Sequence, residues 1–492
     1  YIKSFEPLWL GEFFSPDNKA FVYATLNSME EKKLNVYPDF INYFNAIYNF
    51  SNSGMSSEKF KKWNSTLDNV IKKYNNKRVQ DFLKVSNNLF LDGTIYVTSR
   101  TQKAATRWQV SKKENFDIQF VKKLPIFIFN DVDLRCFSKN DSSVIRNTSG
   151  QFFPLTSQWE GNGGKIDWQR AKKDKDIYYA KVNSYNIGLK SSSYYIDSVL
   201  FYSSYFDYPI MGKLTEKVLS FRGYSKVIYP AFESYSKRLS IKNVNKNKNI
   251  EFDGGFTIRG RNLYGSGTIN NLSKLKLSYN AKEILVAESI SFIINDEGVT
   301  SDKARIKFSF DSDSIVHPAS NLVFSENTKT LTLSRGEEGI LAAPFYNSYH
   351  KLDMYVETLS WKLGEPLINF SAPKGTKSIK TAQFASLNFF DVKSYDNLNT
   401  ERGNILVSIK RYANICGSNI FSLNELAKYL VKSVNDLQFM LFNLTEKGFI
   451  NYDSERKIIT CSEKLFNYIE NRSGEKDYDI LIINSDAETI KV

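Results

Sequence analysis

The sequence predicts a mainly β chain, and three observations carry that expectation. Period-two alternation of apolar and polar residues recurs from about Gly93 to about Asp391, turn residues punctuate it at short intervals, and Tyr, Phe, Val and Ile fill the positions between. Many short strands without helices between them make an all-β body. Its length suits an extended β-solenoid or stacked-sheet arrangement, in which each layer needs only its neighbours, with linked sandwiches as the alternative. Helical segments flank it. The expected division is a helical bundle over residues 1–92, the β-rich body over 93–395, a helical module over 396–473, and the start of a further β segment over 474–492.

The N-terminal block shows repeated helix starts. Ser15-Pro16-Asp17 supplies a cap, a proline for the first turn and an acid at the positive end of the helix dipole. Pro38-Asp39 repeats the device, and Ser56-Ser57-Glu58 opens a helix in which Phe60, Trp63, Leu67, Val70, Ile71 and Tyr74 keep helical spacing. A fourth helix is expected from about Val79 to Asn88.

The body is organised around Ile177–Phe221, a run of short strands rich in Tyr, Val, Ile and Phe. Asp131–Cys136 and Arg305–Phe310 alternate cleanly, and Asn162-Gly163-Gly164, Asp253-Gly254-Gly255 and Gly265-Ser266-Gly267 read as turns. Beyond the body, a helix covers Ile405–Cys416, Ser422 with Glu425 forms a capping box for a second helix, and Ser433 with Asp436 opens a third that ends at Gly448. A hairpin follows, from Phe449–Tyr452 to Lys457–Thr460. Three helices and a hairpin in this order are winged-helix-like. The segment Tyr478–Ile483 reads as a strand.

Composition bounds the function. The chain has 492 residues, 66 Lys and Arg against 53 Asp and Glu, and a formal charge of +13. The lysines are spread over loops and helix faces, so nucleic acid is not favoured as a partner. The third helix of the C-terminal module, SVNDLQFMLFNLTEKG, carries two acids before its one late lysine, which suits protein packing better than base reading. Three cysteines without regular spacing and two histidines point to neither a disulfide framework nor a metal site. Asp311, Asp313 and His317 are expected to be structural. No cofactor motif stands out: the glycines of Gly260–Gly267 open no helix and cradle no phosphate. No run of about twenty apolar residues occurs, so no transmembrane helix is expected, while association with a membrane surface stays open. The first residue is Tyr1, which suggests a processed chain or an excerpt of a longer one.

Two places invite a binding role. Trp159 and Trp168 bracket the tight turn Gly161-Asn162-Gly163-Gly164, and a Trp beside amide and acid groups can stack on a sugar ring, although core packing on paired strands is the favoured reading of both. Tyr349 and His350 lie in the aromatic string Pro344–His350. No catalytic residue is assigned.

Asn147-Thr148-Ser149-Gly150, Trp159-Glu160-Gly161-Asn162-Gly163-Gly164, Ile196-Asp197-Ser198-Val199 and Asn347-Ser348-Tyr349-His350 together resemble an uncharacterised family of very large envelope-associated proteins of Bacteroidota-type bacteria. That resemblance implies an exported, periplasmic or outer-membrane-associated chain within a multidomain protein, and it brings no active site with it. The expected function is therefore a non-enzymatic structural or interaction scaffold of the cell envelope, binding other envelope proteins or polysaccharide. The alternatives are a polysaccharide-active enzyme on a β-helix, using carboxylates such as Asp197, Asp253 or Glu233, and nucleic-acid binding through the winged-helix-like module.

Overall fold

A computed structural model describes residues 2–98, 106–138, 141–218, 228–244, 249–371, 382–400, 403–485 and 490–491. Strands make up 43% of the chain and helices 28%. The chain divides into two compact units, residues 1–236 with 258–261, and residues 237–257 with 262–492.

The first unit begins with five helices: α1 (Ile2–Trp9), α2 (Pro16–Glu31), α3 (Ile41–Ser51), α4 (Ser57–Lys73) and α5 (Asn76–Asp92). The side chains of Ser15, Ser56 and Asn75 cap α2, α4 and α5 by accepting from the backbone N–H three residues on. The sequence pattern gives no sign of α1, which carries Pro7 in its interior. It also shortens α5, which runs on to Gly93, the left-handed residue that stops it. The helical spacing in α4 puts Phe60, Trp63, Leu67 and Val70 on one fully buried face. Trp63 lies against Tyr43, Phe50, Phe60 and Phe90. Burying each such ring stabilises the block by about 1.5–3 kcal/mol. Phe82 and Phe90 on α5 then stack on Phe127 and Phe116, which joins the helices to the sheet.

From Gly93 to Asp391 no α-helix occurs among the described residues; two short 3-10 turns interrupt the strands. Both units are built around one long hairpin. In the first, Leu124–Ser138 pairs with Asp141–Phe153, and the second of these strands feeds two branches. Its end pairs with Gln158–Asn162, which pairs with Ser184–Gly188. Arg146 pairs with Lys165, and a second branch runs through Lys165–Asp167, Tyr179–Lys181, Ser193–Tyr202, Ile210–Lys217 and Ala231–Ser234. Arg107–Val110 pairs with the other hairpin strand, and its Trp108 ring packs on Tyr194 of the second branch. The last part of the Ile177–Phe221 stretch, from residue 219, lies outside the described residues.

In the second unit the hairpin is Gly298–Phe310 with Asp313–Ser325. Every described pairing between named strands of the body is antiparallel, so the chain is joined by hairpins and lacks, in these pairings, the parallel stacked rungs of a solenoid. The segment after residue 473 returns to this unit: Ile482–Ser485 pairs with Ala382–Ser386.

The C-terminal helices are α6 (Val392–Asp396), α7 (Ile405–Cys416), α8 (Leu423–Leu430), α9 (Val434–Glu446) and α10 (Glu463–Ser473). Ser422 and Glu425 make the full reciprocal capping box. A three-stranded sheet, Ile420–Ser422 next to Ile458–Cys461 next to Ile450–Asp453, closes one side. Leu406, Ile409, Leu426, Leu437, Leu441, Tyr452 and Leu465 form a separate apolar core. Among the described residues no helix is long and apolar enough to cross a membrane.

Candidate functional site

Alternation along the second unit's central strands sends Leu275, Leu285, Ile306 and Phe308 into the core. The residues between them face outward, and the pairing register lines them up. One row runs Lys276, Val286, Lys307, Val316, Tyr346, Asp353 across six strands. A second runs Lys274, Glu288, Arg305. The first row from Val286 to Asp353 and the whole second row form the floor of a cleft of about 790 Å³. Its other wall comes from the hairpin around Asp453, Glu455 and Arg456, from Ile420 and Ile458, and from the start of α10 at Ser462, Glu463 and Lys464.

Charges of both signs line the cleft. Glu288 sits between Arg305 at 3.6 Å and Lys274 at 4.0 Å. Lys303 reaches from the floor to Glu455 on the hairpin at 2.9 Å. Exposed Lys307 has no carboxylate within ion-pair distance among the described residues. Val286, Ile290, Val316 and Ile458 place apolar strips between the charges. Such a surface holds a ligand with mixed charge and apolar side groups.

A buried ion pair lies among the lining residues. Lys464 Nζ donates to Asp353 Oδ2 at 2.7 Å and to Tyr355 Oη at 3.1 Å, and Tyr355 donates onward to the Lys447 carbonyl at 3.0 Å. Both members of the ion pair have side chains only 7% exposed. Burial opposes the ammonium, but Tyr355 and Asp353 outweigh it and hold its pKa above the ordinary lysine value. Arg335 lies over the Tyr355 ring and donates to the carbonyls of Ala342 and Ala343. The pair fixes α10 on the sheet.

His317, on the cleft margin, is structural. Its Nδ1 accepts from the Ala319 N–H at 3.1 Å, which places the proton on Nε2, facing the Ala343 carbonyl at 2.7 Å. Burial pushes its pKa down to about 3, so it stays neutral near pH 7. Asp313 accepts from Ser348, and Asp311 lies near Lys282. Among the described residues no group of three or more His, Cys, Asp or Glu converges as a metal site.

The candidate stacking role of Trp159 and Trp168 gives way to core packing: both rings are fully inside the first unit, Trp159 against Phe129 and Trp168 against Phe201. Trp159 falls on the inward phase of its strand, and Trp168 follows directly after the short strand Lys165–Asp167. Tyr349 and His350, in the second unit, are exposed and in edge contact with each other at 4.7 Å. They do not line the cleft. Asp197 accepts from Tyr235, Glu233 stands exposed, and Asp253, in the second unit, is bound by Arg238.

The helix α9 has a mixed outer face of Asn435, Asp436, Phe439, Asn443 and Glu446, with no cation on it. Its Phe442 lies beside Gly339 of the 3-10 turn Gly339–Ala342. The cleft floor had one local sequence signal, the cations at Lys303, Arg305 and Lys307 on the clean alternation. The Lys464–Asp353 pair had none, because 111 positions separate its members. No protein-family model, no curated protein and no solved structure matches this chain.

Proposed function

We propose that the chain is a non-enzymatic interaction scaffold of a bacterial cell envelope, and that the cleft of the second unit holds a segment of a polypeptide partner. The observation that carries this is the cross-strand floor: charges of both signs and apolar strips, fixed on a rigid antiparallel sheet, around an exposed Lys307 without a carboxylate. Sites on paired strands are held more tightly than sites on loops, which suits recognition. The C-terminal helices and hairpin are read as a winged-helix-like module that serves as a wall of this cleft. Its α9 supports packing over base reading, since Asp436 and Glu446 would meet phosphate with like charge. The envelope location rests on the resemblance in the Asn147–Gly150, Trp159–Gly164, Ile196–Val199 and Asn347–His350 strings.

A photo-crosslinking amino acid at Lys307 tests this, with Lys282, exposed at the start of a strand of the same unit outside the cleft, as the control. In cells exporting the full chain, position 307 should give a discrete polypeptide adduct that K303E/R305E removes. Equal labelling at both positions, or no polypeptide adduct at 307, overturns the proposal.

A further inference from the structure

The described part of the Ile177–Phe221 stretch, with Lys165–Asp167 beside it, builds a face that the cleft does not use. In the order Lys165–Asp167, Tyr179–Lys181, Ser193–Tyr202, Ile210–Lys217, its strands turn Ala180, Phe201 and Leu214 inward. The outward phase carries tyrosines and lysines in contact. Tyr179 and Tyr202 stack at 4.7 Å with an interplanar angle of 11°. Lys165 lies 4.2 Å from the Tyr179 ring, Lys181 lies 5.2 Å from Tyr202, and Lys213 lies 4.6 Å from Tyr195. Lys165 is also paired with Asp176 at 3.3 Å. Lys181 and Lys213 have no carboxylate within ion-pair distance among the described residues, although Glu233 stands opposite Lys213 in the register. Asp167, a further acid on the same face, is already bound by Arg146 at 2.9 Å.

We infer that this face of the first unit binds an acidic polysaccharide. A charged ammonium held over a ring keeps its place without being neutralised, so Lys181 and Lys213 stay available to an anion. The ring edges and phenol hydroxyls that surround them are the positive and donating parts of a tyrosine. Neighbouring strands repeat every 4.7–4.9 Å or so, which spreads these cations as a track along a chain and not as one pocket. Single-stranded nucleic acid needs free ring faces on which bases stack. Here the Tyr179 and Tyr202 faces are taken up by each other and by lysine ammoniums, so charge and hydroxyl chemistry is favoured over base stacking. The inference shares with the scaffold reading only the premise that the chain holds partners; it uses the other unit and other residues.

The test uses the full chain and four probes: polygalacturonate, dextran sulfate, neutral dextran and a poly(dT) oligonucleotide, in titrations at low and moderate salt. Polygalacturonate should bind, with affinity that falls as salt rises, and K181Q/K213Q should weaken it at least tenfold while K181R/K213R retains most of it. K307Q, in the cleft, should leave it unchanged, so loss of either proposal is told apart from loss of the other. Circular dichroism checks that K181Q/K213Q is folded, and a Y195A variant gives a second test of the same face. Absence of binding to both acidic polysaccharides, equal binding of neutral dextran, equal affinity of K181Q/K213Q, or poly(dT) binding that is tighter and lost with the same lysines would each overturn the inference.

Discussion

Removing the charge of Lys464 while leaving Asp353 in place tests how the helical module is held on its sheet. The K464M variant keeps most of the side-chain volume but strands a carboxylate that is only 7% exposed. Breaking a buried pair in this way costs about 3–5 kcal/mol, mostly from the uncompensated charge. Loss of the hydrogen bond to Tyr355 is included in that figure and is not added to it. For a unit of this size, about 2–4 °C per kcal/mol gives a fall in Tm of roughly 6–20 °C. The double variant K464M/D353L removes both charges and should recover most of the loss, since a well-packed apolar pair is often neutral or better. Differential scanning calorimetry, with hydrogen exchange to assign the transition to the second unit, reads both. The folded-state pKa of Lys464 is raised, so its contribution is fully present below the ordinary lysine value and is lost only in strong alkali. The K464M effect should therefore be flat from pH 5 to 9. A loss below about 1 kcal/mol, or a double variant no better than the single, would refute the reasoning.

Three further outcomes follow from the same coordinates. In the first unit, burial pushes the Glu216 carboxyl up to about 7; the Arg170 guanidinium opposes the rise and the nearby Asp141 carboxylate adds to it. A raised acid stabilises the fold at low pH and loses that contribution as pH climbs through 7, by on the order of 3 kcal/mol. E216Q should flatten the first unit's Tm between pH 4.5 and 8, and an unchanged slope counts against it. Gly161 lies under the Tyr185 ring, which a Cβ would overlap, so G161A should destabilise the first unit by about 1–3 kcal/mol in urea titrations. R456E/K457E should leave any duplex-DNA mobility shift of the full chain unchanged, since Arg456 pairs with Asp453 and α9 offers no cation.

Local structure was legible in the residues themselves. Capping residues, helical spacing and period-two alternation placed α2, α4, α7, α8 and α9 and the long strands, because each is set by backbone chemistry within a few positions. The sequence also contained the alternating cations of the cleft floor and the tyrosines of the Ile177–Phe221 face. What it left open was which phase of each strand faces inward and which strands are neighbours. Shifting the phase by one residue exchanges the faces, so Trp159 and Trp168, candidate ligand platforms as letters, became core once pairing buried them. The long hairpins that feed two branches, the Lys464–Asp353 pair across 111 positions and the row from Lys276 to Asp353 are non-local. Contacts between distant positions leave no period or motif in a single chain, and only the tertiary structure decided them.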